Sequence, residues 1–117
     1  MSDRNYTIKS KEINGLLCVV CHVFYESQDE NFRSYDYYTG YVEIPKDHPL
    51  YGKNYSGIDI DADGGLTFSG HLKDFGKDQW FIGWDYDHVW NLEMYVTEEM
   101  VWSCCEYVAQ QVNNYKA

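Results

Sequence analysis

The sequence predicts an α+β domain, an antiparallel β-sheet of about four to five strands packed on one side by a C-terminal α-helix. Three observations carry this expectation. A continuous apolar, β-branched run follows Gly15, shorter alternating segments recur through the middle of the chain, and apolar residues at helical spacing stand near its end. At 117 residues the chain has the length of one domain with one core. No repeat, low-complexity tract or Pro/Ser linker interrupts it, and Pro45 and Pro49 are its prolines, so residues 1–117 are read as a single domain.

The run Leu16-Leu17-Cys18-Val19-Val20-Cys21-His22-Val23-Phe24-Tyr25 suits a strand buried on both faces and is expected to be the central one. A polar loop over residues 26–31 follows. Tyr35-Asp36-Tyr37-Tyr38-Thr39-Gly40-Tyr41-Val42-Glu43-Ile44 then alternates as a second strand, in which Gly40 marks a bulge or a close backbone approach. Residues 45–57 read as an irregular connection, with turn chemistry at Lys46-Asp47-His48-Pro49 and glycines at Gly52 and Gly57. Ile58-Asp59-Ile60-Asp61-Ala62 alternates apolar with acidic residues, Asp63-Gly64-Gly65 turns, and Leu66-Thr67-Phe68-Ser69 returns, which is a hairpin pattern. Trp80-Phe81-Ile82-Gly83-Trp84-Asp85 is a further strand, where Gly83 again permits close approach. The helix begins at Thr97 as N-cap, with Glu98 and Glu99 suited to the positive end of its dipole. Val101, Cys104, Cys105, Val108, Val112 and Tyr115 fall on its buried face.

Hydrophobic residues make up 44% and charged residues 24%, a globular balance, while the aromatic share of 18% includes 12 tyrosines and favours a recognition role. The formal charge of −10 repels phosphate backbones. Direct nucleic-acid binding is therefore not expected, whereas docking onto a basic protein surface is, including one that normally holds nucleic acid. The polar start Met1-Ser2-Asp3-Arg4-Asn5 and the lack of any apolar run near the ~20 residues of a membrane span predict a cytoplasmic protein. The four cysteines, Cys18, Cys21, Cys104 and Cys105, sit inside apolar stretches and read as buried free thiols.

Four constellations are candidates for chemistry. Cys18-Val19-Val20-Cys21-His22 fits the CxxCH string of covalent haem attachment. On a strand, residues three apart point to opposite faces, so the two thiols cannot share a ligand, and no cofactor is expected. Asp59-Ile60-Asp61-Ala62-Asp63-Gly64 matches the DxDxDG start of a calcium loop, which makes Asp59, Asp61 and Asp63 the metal candidates. Gly70 stands where that loop needs a bidentate Glu, so a solvated acidic face is the competing reading. Past the last strand, Asp85 with His88, joined by His48 or His71, could supply a general base and its orienting acid. No GxSxG or HExxH string accompanies them. Finally, among the aromatics Tyr35, Tyr37, Tyr38, Tyr41, Tyr51, Tyr55, Trp84, Tyr86 and Trp90, some can form a stacking pocket or a docking patch beside the Gly64-Gly65 turn.

The strings Gly40-Tyr41-Val42-Glu43-Ile44-Pro45, His48-Pro49-Leu50-Tyr51-Gly52, Gly64-Gly65-Leu66-Thr67-Phe68-Ser69-Gly70 and Trp80-Phe81-Ile82-Gly83-Trp84-Asp85 followed by His88 carry a resemblance. Over about residues 40–88 they resemble a family of small uncharacterised phage, prophage and mobile-element proteins with the pattern GYV-x-[VI]-P, HPLYG, GGLT and W-x-G-[FW]-D. That family has His before its glycine pair where this chain has Asp63, which makes the DxDxDG string a local variation. The resemblance implies an accessory factor of the infected host cytoplasm that blunts defence by binding.

Three functions follow as expectations. The first is a non-enzymatic, anti-CRISPR-like inhibitor that binds a basic surface on a host defence protein. The second is a nucleotide sponge, with Trp84, Tyr51 and Tyr41 stacking on a base, Tyr86 and His88 nearby, and Gly64 and Gly65 amides meeting phosphate. The third is a small hydrolase using Asp85, His88 and His48. A homodimer through an edge strand at residues 35–44 is also expected to be open to the chain.

Overall fold

Asn14 and Gly15 set the first hairpin. Both have positive φ, 52° and 81°, as the two central residues of a type I′ turn require, and the twist of that turn matches two antiparallel strands. In the computed structural model, which describes residues 3–26, 35–86 and 96–115, this turn joins β1 (Asp3–Ile13) to β2 (Leu16–Glu26). Their register runs from Ile13 opposite Leu16 to Asp3 opposite Glu26. The loop expected after β2 lies outside the described residues. β3 (Tyr35–Ile44) pairs antiparallel with β2 on one side and with β5 (Trp80–Asp85) on the other, and the short β4 (Phe68–Gly70) runs along β5. The five strands take the order β1-β2-β3-β5-β4.

The central strand is therefore β3, and β2 is its neighbour. The expectation that residues 35–44 offer a free edge for a homodimer is corrected by the same pairing, because β2 takes one side of residues 35–42 and β5 the other side of residues 39–44. Among the described residues the edges belong to β1 and β4.

The hairpin expected over residues 58–69 is also corrected. Residues 58–66 form no strand, and β4 pairs with β5 instead. The cause lies in the helix: Gln111 Oε1 accepts from Asp61 N at 2.8 Å and Gln111 Nε2 donates to Asp61 O at 2.8 Å. One side chain thus satisfies the backbone groups that a partner strand would have taken.

The helix α1 (Glu98–Asn114) starts as expected. The Thr97 hydroxyl accepts from Met100 N at 3.3 Å, Glu98 and Glu99 occupy the first turn, and Val101, Cys104, Cys105, Val108, Ala109 and Val112 form the buried stripe. The helix packs across β3 and β2 and completes the α+β architecture. On this side Cys18, Val20, Val42, Ile44, Ile82 and Trp84 meet the helix, with Leu50 and Ile60 closing the flank. The opposite face has a smaller core of Val19, Cys21, Val23 and Phe81, roofed by Phe68, Leu72 and Phe75. Cys18 and Cys21 thus fall on opposite faces, and all four cysteines are buried and free.

The two strand glycines share one purpose. Gly40 stands opposite Trp84, and Tyr41 stands opposite Gly83. On the helix side, a Cβ at Gly40 would come within 2.6 Å of the Trp84 ring, and on the other side a Cβ at Gly83 would collide with the Tyr41 ring. Each glycine leaves the floor on which its partner's ring lies, and the register through both pairs is unbroken, so neither makes a bulge. Among the described residues, no helix is long and apolar enough to cross a membrane.

Candidate functional site

The face away from α1 is only partly roofed, and beside the roof a cleft of about 210 Å³ opens. Alternation along β3 aims Tyr37, Thr39 and Tyr41 at it, β5 adds Asp85, and the chain entering β4 adds Thr67 and Phe68. The Tyr41 and Phe68 rings meet edge to face, 5.4 Å apart at 86°, and form two perpendicular walls. Thr67 is held by its backbone N–H donating to Gly83 O at 2.9 Å, and its hydroxyl donates to Asp85 Oδ2 at 2.8 Å. Thr39 is only 7% exposed. Its hydroxyl lies near the Cys21 thiol and the Tyr41 hydroxyl but makes no well-formed hydrogen bond. Burial pushes the Tyr41 phenol above its ordinary range, and the Asp85 charge adds to the rise, so the phenol stays neutral. The Cys21 thiol is likewise raised by burial and is inert as a nucleophile.

A second surface runs along α1, where residues 59–63 lie against the helix. Tyr107, 50% exposed, donates from its hydroxyl to Asp61 Oδ2 at 3.4 Å, and Asp63 N donates to Cys104 Sγ at 3.4 Å. Glu99 and Glu106 project from the same helix into solvent, beside Met100 at 36% exposure. No Lys or Arg occurs between Lys53 and Lys73 or between Lys77 and Lys116. Among the described residues two lysines are paired, Lys9 with Glu98 at 3.0 Å and Lys46 with Asp78 at 2.7 Å, while Lys11 lies over the Trp102 ring. Among the described residues, no such pair neutralises Asp59, Asp61, Asp63, Glu99 or Glu106. This charge segregation is legible in the spacing of lysines, a signal the composition conceals.

The residues singled out from the sequence are dispersed. Tyr41 and Asp85 meet at the cleft. Trp84 borders it but is 1% exposed, and its ring is turned to the helix side over Gly40 and beside Val101. Tyr86 is buried too: its hydroxyl accepts from Trp84 Nε1 at 3.2 Å and donates to Asp63 Oδ2 at 2.8 Å. Burial, then the bond to the Asp63 carboxylate, drives that phenol far above its ordinary value. Tyr51 donates to Asp78 O at 2.7 Å from the 45–57 connection. Gly64 and Gly65 occupy a turn closed by Gly65 N donating to Ala62 O at 2.9 Å, with φ of 72° and 89°. The stacking platform expected of Trp84, Tyr51 and Tyr41 is therefore not assembled, because Trp84 is core and Tyr41 lies on the other face of the sheet.

Of the hydrolase candidates, His48 and His71 are placed away from Asp85. His48 accepts from Leu50 N through Nδ1 at 3.0 Å and donates from Nε2 to Val112 O at 2.8 Å, which closes the C-terminal end of α1 on the helix side. Asp85 opens on the opposite side, and His71 donates from Nδ1 to Gln79 O at 3.0 Å. His88 and Trp90 lie outside the described residues. A His/Asp pair that the spacing did not suggest joins β2 to β3: His22 Nε2 lies 2.6 Å from Asp36 Oδ2, with its ring stacked on Tyr38 at 4.3 Å. Cross-strand neighbours in register cannot be read from separation along the chain. Of the calcium-loop candidates, Asp61 and Asp63 anchor the connection to Tyr107, Gln111, Cys104 and Tyr86. Among the described residues, no group of three or more His, Cys, Asp or Glu side chains is arranged to hold a metal.

Compared with known protein families, with curated proteins and with solved structures, the chain matches none.

Proposed function

We propose that this protein is a non-enzymatic binding module that occupies a basic surface on a host defence protein, in the manner of an anti-CRISPR. The observation that carries this reading is the acidic surface of α1 and residues 59–63, which Lys9 and Lys11 reach only at Glu98 and Trp102. Exposed carboxylates at residues 59–63 and at Glu99 and Glu106 flank an exposed aromatic ring, Tyr107, and a flexible thioether, Met100. Aromatic and Met side chains supply contact area, while like-signed charge around them steers a partner of opposite sign. A surface that normally holds nucleic acid has the complementary sign. The phage and defence context comes from the family resemblance of residues 40–88.

The hydrolase reading has less behind it, since His48 lies on the far side of the sheet from Asp85 and is engaged at the end of α1. The nucleotide reading loses its platform, and the cleft's 210 Å³ falls below the ~300–1,000 Å³ usual for a ligand pocket of that class. Affinity capture from lysate of the native host, at low salt and again at high salt, tests the proposal. A stoichiometric basic partner that is released by salt, and lost in Glu99→Lys/Glu106→Lys protein, is the expected result. Capture of nothing at low salt, or capture indifferent to that double charge reversal, overturns it.

A further inference from the structure

The cleft on the opposite face has a lining whose chemistry selects its occupant. We propose that it takes the guanidinium group of an arginine side chain presented by a protein partner. Four features of the lining converge on that group.

The walls are aromatic and perpendicular. Tyr41 and Phe68 stand at 86° to one another, with Tyr37 on the same side of β3, and a cation above such rings is attracted by their quadrupoles. The polar part of the lining is one carboxylate, Asp85, with the hydroxyls of Tyr37, Thr39, Tyr41 and Thr67, each of which can accept a hydrogen bond. The Asp85 carboxylate offers about four lone-pair positions, so it can serve a guanidinium alongside the Thr67 hydroxyl and the other contacts it makes. Thr39 supplies a buried hydroxyl without a well-formed bond, a group whose desolvation a ligand donor would relieve. Finally, no Lys or Arg is among the lining residues.

Other cations fit less well. A quaternary ammonium has no N–H to give to the Asp85 carboxylate or to the Thr39 hydroxyl. A lysine ammonium is a compact, strongly hydrated charge, costly to strip of water, and cannot lie flat on a ring. Guanidinium is planar, weakly hydrated and carries five donors, so it can stack on one wall while its edge meets the carboxylate. The volume is too small for a nucleotide and open enough for a side chain to enter from outside.

The inference deepens the proposed function by naming the group on the basic partner that is read. It rests on that reading for the partner, though not for the pocket. The two surfaces lie on opposite sides of the sheet, so their failures separate. Titration of the full chain with a short arginine peptide, its lysine counterpart and N-acetylarginine amide, followed by calorimetry, tests the pocket.

The arginine peptide should bind at least tenfold more tightly than the lysine peptide. Asp85→Asn should weaken it by tenfold or more, and Glu99→Lys/Glu106→Lys should leave it within about twofold. Thermal melting reports whether Asp85→Asn protein is folded. If it is not, Tyr37→Leu provides the same readout, because removal of one ring should cost about fivefold. Equal binding of lysine and arginine peptides, or no arginine binding that Asp85→Asn or Tyr37→Leu diminishes, overturns the proposal. Binding of the free amide without the peptide overturns the commitment to a protein partner. If the peptide behaves as expected while host capture fails, the cleft stands and the proposed function falls.

Discussion

The two faces of this sheet are built from alternate residues of the same strands, yet they end in different states. On the helix side, Trp84 spreads over Gly40 and is sealed by Val101 and the rest of the α1 stripe. On the other side Tyr41 spreads over Gly83 in the same way, but its cover is the short segment at Phe68, Leu72 and Phe75. A helix of 17 residues, with Leu50 and Ile60 on its flank, closes one side of the sheet. The shorter cover leaves a gap, the cleft lined by Tyr37, Thr39 and Tyr41 of β3 and Asp85 of β5. Identical local geometry thus gives core on one face and a site on the other, and the difference lies in the length of the roof.

Truncation should measure that inequality most strongly. Trp84→Ala removes a fully buried ring and should cost about 3–5 kcal/mol in urea unfolding, whereas Phe68→Ala, at a half-buried position, should cost about half as much or less. Equal losses would mean that the second face is as closed as the first.

Smaller, and expected to be alike on both faces, is the effect of filling the glycine floors. Gly40→Ala and Gly83→Ala each force a ring off its seat, and overpacking of this kind costs about 1–3 kcal/mol. A neutral Gly83→Ala would show that the Tyr41 ring can swing into the open cleft while Trp84 cannot move.

The smallest effect concerns the rim of the helix side. The Trp102 indole N–H, then Lys9, hold the Glu98 carboxyl below its ordinary value of 4.5. A depressed carboxyl contributes stability that is fully present above that unfolded value and is lost as pH falls through the lower folded one. The melting temperature should therefore drop on acidification below about pH 4.5, and Glu98→Gln should reduce this part of the drop. An unchanged acid limb in Glu98→Gln protein would remove Glu98 from the account.

Much of the scaffold was legible before any coordinates. β2 announced itself through a continuous apolar run, α1 through its stripe and the Thr97 cap, and the split of Cys18 from Cys21 through strand periodicity alone. β1 carries no such signal, since its exposed residues are polar, although the Asn14-Gly15 pair that begins its turn is a strong hairpin mark. The candidate site was legible only in fragments. Tyr41 and Asp85 were singled out from the sequence, while Thr39, Thr67 and Phe68 were not, because the cleft depends on β3 lying beside β5.

What the sequence determines by itself is local: periodicity, caps and turn residues bias each segment by interactions within a few residues of one another. Tertiary structure decided the rest. Residues 58–62 alternate like a strand, yet Gln111 from the far end of the chain takes the backbone N–H and C=O of Asp61. Trp84 reads as a stacking ring near the end of a strand, yet α1 covers it. In both cases the deciding partner lies distant in sequence, and no local preference outweighs the satisfaction of a buried polar group or the burial of an aromatic ring.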